Sequence, residues 1–100
     1  MATFITRVEL HGATYQDYLQ LHGFMAHEGF TATIKGDNGI VYQLPPAEYR
    51  LEANCSASDA REKASRAAQK TQKGFAVLVS EYATATWSGL NQIPVRAIGA

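Results

Sequence analysis

Three features of the chain predict an α+β fold of order β-α-β-β-α-β. An alternating strand, Phe4-Ile5-Thr6-Arg7-Val8-Glu9-Leu10, runs straight into an amphipathic helix. Two further strands are joined by Gly36-Asp37-Asn38-Gly39, and a long helix then leads into the apolar run Phe75-Ala76-Val77-Leu78-Val79. With two crossover helices this is the ferredoxin-like arrangement: a four-stranded antiparallel sheet with both helices on one face.

In the first strand Phe4, Thr6, Val8 and Leu10 share one face, and Ile5, Arg7 and Glu9 share the other. His11-Gly12 breaks it, and Thr14 is suited to cap the next helix. At 100° per residue Tyr15, Tyr18, Leu19, Leu21, His22, Met25 and Ala26 form one stripe, Phe24 falls on the polar side, and Gly29 ends the helix. Phe30, Ala32 and Ile34 alternate with Thr31, Thr33 and Lys35 as a half-buried strand. Asp37-Asn38-Gly39 then tolerates the positive φ of a tight hairpin. The return strand begins at Ile40, and Pro45-Pro46 interrupts its pairing in a bulge or bend. Beyond it Tyr49, Leu51 and Ala53 face one way, and Glu48, Arg50 and Glu52 the other.

The second helix opens near Ser56 or Ser58. Its inner stripe, Ala57, Ala60, Ala64, Ala67, Ala68 and Thr71, is small enough to let the helix lie close to the sheet. Asp59 with Lys63, and Glu62 with Arg66, have the i,i+4 spacing of helix ion pairs. Lys73-Gly74 stops the helix. The last strand is apolar on both faces, so cover on both sides is expected. Residues 1–87 form the predicted domain. Residues 88–100 form a tail whose segment Ile93-Pro94-Val95-Arg96-Ala97-Ile98 suits an extra edge strand, unless the tail stays disordered.

One hundred residues fit one domain, and 46% apolar content supplies a core and excludes a disordered chain. Nine Lys plus Arg balance nine Asp plus Glu, so no net field draws the molecule to nucleic acid or membrane, and no DNA preference follows. Cys55 is the single cysteine, which fits a reducing compartment. With no apparent signal peptide and no apolar run of bilayer length, a cytoplasmic protein is expected.

Phosphate-loop, paired-cysteine zinc and serine-elbow motifs are not found in the sequence. Glu9, near the end of the first strand, shares a face with Arg7 and His11. Doubled by a two-fold axis it could act as a base or hold a divalent ion; the plainer alternative is a strand glutamate paired with Arg50 or Arg7. His22 suits proton transfer at neutral pH, against the alternative of a partly buried histidine with one hydrogen-bond partner. His22 and His27, five apart on one helix, lie about 140° apart around its axis, which argues against a shared metal. Lys63, Arg66, Lys70 and Lys73 line an outer stripe of the second helix. The stripe can track an RNA backbone or simply be solvated. The sheet face opposite the helices has no cover, and a symmetric homodimer packed through it is expected.

The chain resembles the GhoS family, the antitoxin endoribonucleases of type V toxin–antitoxin systems. The likeness rests on Val8-Glu9-Leu10 before the helix, Gly29-Phe30, Asp37-Asn38-Gly39-Ile40 with Gln43-Leu44, and the Ala/Ser-rich start of the second helix. It covers roughly residues 4 to 80. The resemblance implies a dimeric enzyme cleaving single-stranded messenger RNA for a small membrane toxin. Glu9 falls at the family's acidic position, where aspartate is expected, and His22 at its basic position. Glu9, His22 and Arg7 are then the catalytic residues and Lys63, Arg66, Lys70 and Lys73 the RNA contacts. No cofactor is expected unless a divalent ion is shared by Glu9 of two subunits. The alternative is a non-catalytic adaptor binding a protein or RNA through the open sheet face.

Overall fold

The computed structural model describes residues 1–94. The elements are β1 (Ala2–Leu10), α1 (Tyr15–His27), β2 (Thr33–Lys35), β3 (Val41–Gln43), β4 (Glu48–Ala53), α2 (Ala57–Gln69) and β5 (Phe75–Glu81). They form an α+β fold in which β1 is the central strand of an antiparallel sheet ordered β4-β1-β5, while β2 and β3 form a separate antiparallel pair.

The expected continuous four-stranded sheet is therefore not formed. The segment that should lie beside β4 touches it at one bridge, Thr31 with Arg50, closed by two backbone bonds of 2.8 and 2.7 Å. One residue later the Ala32 carbonyl accepts from the Leu44 N–H and the Gln43 amide, so β2 follows its hairpin partner away from β4. Pro45-Pro46 is the cause on the other side. The turn it starts, closed by the Glu48 N–H donating to the Pro45 carbonyl with Ala47 at φ 68°, splits the return segment into β3 and β4.

The even residues of β1 behave as the alternation requires. Phe4, Thr6, Val8 and Leu10 are buried with Tyr49 and Leu51 of β4 beneath the helices. Both helices have a reciprocal capping box, Thr14 with Asp17 and Ser56 with Asp59, which satisfies N–H groups that a helix start leaves free. Ala60, Ala64, Ala67 and Ala68 of α2 are wholly buried, and their small side chains bring that helix down onto β1 and β5. α2 ends at Gln69, before the Lys73-Gly74 stop, and the chain turns through Gln72 at φ 64°.

Helix α1 sits rotated from the stripe its sequence suggests. Leu21 and Met25 are buried and Tyr18 and Phe24 pack on the core, whereas Tyr15, Leu19, His22 and Ala26 are exposed. The reason is α2: it lies against the Phe24 side of α1, and Lys70 stands 5.8 Å over the Phe24 ring. β5 also departs from expectation. Phe75, Val77 and Val79 pack on the core, but Ala76, Leu78 and Ser80 open to solvent, with Leu78 65% exposed.

After β5 the chain is pinned to the start of β1, the Tyr82 N–H donating to the Thr3 carbonyl and the Thr3 hydroxyl to the Tyr82 carbonyl. It then crosses to β3, where Gln92 bridges Tyr42 and the Gln43 and Ile93 N–H groups each close a 2.8 Å bond. The start of the tail thus adds to the β2-β3 pair. Val95, Arg96, Ala97 and Ile98 lie outside the described residues.

Candidate functional site

The odd residues of β1 project from the sheet face opposite the helices. Arg7 and Glu9 are both exposed there, and His11 follows at the strand's end. His11 is placed by its N–H, which donates to the Gly74 carbonyl at 2.7 Å and prolongs the β1–β5 ladder by one residue. Its Nε2 lies 3.8 Å from Glu9 Oε1, and both side chains are 59% exposed. Arg7 reaches Glu48 across the β1–β4 pair at 3.8 Å, and Arg50 reaches Glu52 along β4 at 3.8 Å. Glu9 is thus left facing an imidazole rather than a guanidinium. A carboxylate and an imidazole so placed can accept and donate a proton on one exposed ligand.

His22 is on the other side of the sheet. Its Nδ1 shares a 2.6 Å hydrogen bond with the Tyr49 hydroxyl, and the rings meet edge to face at 5.5 Å. Burial, with the nearby Tyr18 phenol adding to it, pushes the Tyr49 hydroxyl above the ordinary tyrosine range, so the phenol keeps its proton. The O–H then donates to Nδ1 when the imidazole carries its proton on Nε2. Within one protomer the structure sets Glu9 beside His11, with Arg7 on the same face but paired with Glu48, and holds His22 apart with the sheet between.

Of the expected basic stripe only Lys63 and Arg66 are on α2, Lys70 and Lys73 following its end at Gln69, and the four run along α1. Arg66 grips Glu28 with Nη2 at 3.1 Å and Nε at 3.4 Å, and Lys73 stands 3.7 Å from Asp17. Lys70 covers Phe24, and Lys63 adds to the field on Glu28. The Arg66 bond is the first cause holding the Glu28 carboxyl below its usual range. For Asp17 the first cause is the Thr14 backbone N–H, with Lys73 assisting. Arg66 pairs across the helices, in place of the i,i+4 contact with Glu62 that the spacing suggests.

A second feature was not legible in the sequence. The strap from Tyr82 to Trp87 and the β2-β3 hairpin enclose a cleft of about 680 Å³, lined among others by Lys35, Asp37, Tyr42, Arg50, Tyr82 and Trp87. Trp87 meets Tyr42 edge to face at 5.4 Å, and Arg50 Nε donates to the Tyr82 hydroxyl at 2.8 Å. Gly36 permits the close approach: a Cβ there would lie 2.8 Å from Asn38 Oδ1 and 3.4 Å from the Trp87 ring. Residues 83–90 make no backbone–backbone hydrogen bond among the described residues, so their peptide groups are available to a guest. Nothing local in the sequence says that Tyr82 and Trp87 fold back over the hairpin.

Arg50 stands beside Ile5 in the β1–β4 register, four residues along β1 from Glu9. At about 3.3 Å per residue Arg50 of the cleft lies roughly 7 Å from Arg7 and roughly 13 Å from Glu9 along the strand. Among the described residues no group of three or more His, Cys, Asp or Glu could hold a metal ion, and no helix is long and apolar enough to cross a membrane. No family model matches the chain, and no curated protein matches its sequence.

Proposed function

We propose that this chain is a ferredoxin-like, GhoS-type endoribonuclease of the cytoplasm that cleaves single-stranded RNA, the resemblance pointing to the messenger of a small membrane toxin. The strand order β4-β1-β5, with Thr31 bridged to the free side of β4, supports reading the sheet as ferredoxin-like with its fourth strand held at one point. The observation that carries the activity is the 3.8 Å pairing of Glu9 with His11 on an open face that also leads to an aromatic, basic cleft. RNA cleavage by its own 2′-hydroxyl needs a base to take that proton, an acid to protonate the leaving 5′-oxygen and a cation to neutralise the phosphate. Glu9, His11 and Arg7 supply these roles in one row, and the products are a 2′,3′-cyclic phosphate and a free 5′-hydroxyl. Trp87 and Tyr82 stack an unpaired base beside Lys35 and Arg50. Lys63, Arg66, Lys70 and Lys73 contribute a weaker basic flank, because three of them already serve contacts with α1.

The test is cleavage of a single-stranded RNA by the purified chain with and without divalent ions, alongside Glu9→Gln, His11→Ala and His22→Ala. Loss of about 10²–10⁴-fold in each of the first two is expected. Loss in His22→Ala but not in His11→Ala would return proton transfer to α1 and remove His11 from the site. No cleavage under any condition would discard the enzyme. The adaptor reading is favoured by Leu78, which lies 65% exposed opposite Arg7 on the open face. It predicts salt-sensitive RNA binding without cleavage, or a protein partner and no RNA binding.

A further inference from the structure

We infer that the free edge of β5 pairs antiparallel with β5 of a second copy, joining two three-stranded sheets into one of six strands. The hydrogen-bond phase of the β1–β5 ladder defines that edge. The His11 N–H donates to the Gly74 carbonyl and the Tyr82 N–H to the Thr3 carbonyl. In the same register the even residues of β5 bond to β1. Phe75, Val77, Val79 and Glu81 therefore direct their N–H and C=O groups outward, and no strand among the described residues meets them. The edge has none of the usual guards. Seven residues, Phe-Ala-Val-Leu-Val-Ser-Glu, contain no proline, lysine or bulge, and their single charge is at the end.

The occupant follows from symmetry and charge. Antiparallel pairing of identical strands must be centred on a two-fold axis, and the outward phase requires odd residues to meet odd residues. Centred on Val77, the register sets Val77 against Val77 of the partner subunit, Phe75 against the partner's Val79, and Lys73 against the partner's Glu81. Opposite charges then close both ends. Lys73 is 37% exposed and so can meet a second carboxylate besides Asp17. On the open face Ala76 lies opposite the partner's Leu78, which covers the most exposed apolar side chain of the strand. The axis stands perpendicular to the sheet, so both Arg7-Glu9-His11 rows look out from the same side. Counting three strand spacings and the small offset of Glu9 from the axis, the two carboxylates are roughly 15 Å apart. A dimer packed through the open face would bury these rows instead. The interface stands apart from the nuclease reading, and either can fail alone.

Sedimentation equilibrium of the full chain, read with amide hydrogen exchange, tests it. The expected result is a dimer whose Phe75, Val77 and Val79 amides become protected as concentration rises. Glu81→Lys should raise the dissociation constant roughly tenfold, because two attractive contacts become repulsive together. Adding Lys73→Glu to that variant should restore pairing. A monomer at every concentration would overturn the inference. So would a dimer that keeps the Val77 and Val79 amides fast-exchanging and is indifferent to Glu81→Lys.

Discussion

The His22–Tyr49 contact makes an asymmetric prediction. Tyr49 is 1% exposed and its hydroxyl has one partner among the described residues, while His22 sits on the exposed side of α1. Tyr49→Phe removes the hydroxyl and frees an imidazole nitrogen that water can reach, so it should cost about 0.5–1.5 kcal/mol, the net worth of one hydrogen bond. His22→Ala leaves the phenol O–H buried without an acceptor, and the desolvation penalty then stands in full at about 1–3 kcal/mol. Alanine gains a few tenths of a kcal/mol in helix propensity over histidine, so the measured cost understates the penalty. The double variant has no stranded group and should be more stable than His22→Ala alone. Urea unfolding followed by circular dichroism reads all three. At about 4–8 °C per kcal/mol for a domain of this size, melting temperatures should separate the two single variants. If His22→Ala is no worse than Tyr49→Phe and the two costs simply add, the phenol is finding water in the gap, and the contact is not what shields it.

Two further stability effects are expected. Thr6 is fully buried between Phe4 and Val8 and its hydroxyl has no partner among the described residues. Thr6→Val keeps the shape and should raise stability by about 1 kcal/mol, whereas a loss on thermal unfolding would mean that the hydroxyl is satisfied. Asp17 and Glu28 have depressed folded-state pKa values, so the stability they contribute is present above the unfolded value and lost as pH falls through the folded one. Melting temperature should therefore drop from about pH 4 downward, and Asp17→Asn with Glu28→Gln should flatten that slope; an unchanged slope would refute the link.

Local chemistry and periodicity sufficed for much of this protein. The alternation of β1 and β4, the Thr14 and Ser56 caps, the Asn38-Gly39 turn and the alanine face of α2 each follow from residues a few positions apart, where spacing alone decides which side is buried. What failed did so where a distant element competes. A stripe of Tyr15, Tyr18, Leu19, Leu21, His22, Met25 and Ala26 is a sound reading of α1 in isolation. Leu21 and Met25 are buried as that stripe requires, but the helix rolls so that Phe24 packs inward and Tyr15, Leu19 and His22 turn out, because α2 lies on the Phe24 side, with Arg66, Lys70 and Lys73 holding it there. At the fourth sheet position the Pro45-Pro46 interruption was legible, but the bonds from Leu44 and Gln43 to the Ala32 carbonyl, which draw β2 to its hairpin partner, were not. The site divides the same way. Glu9, Arg7 and His11 share a face by the two-residue period of a strand, so their grouping was legible. The partner of Tyr49, the cleft under Trp87 and the open edge of β5 arise from chain segments far apart in sequence, and only packing brings such segments within a few ångströms.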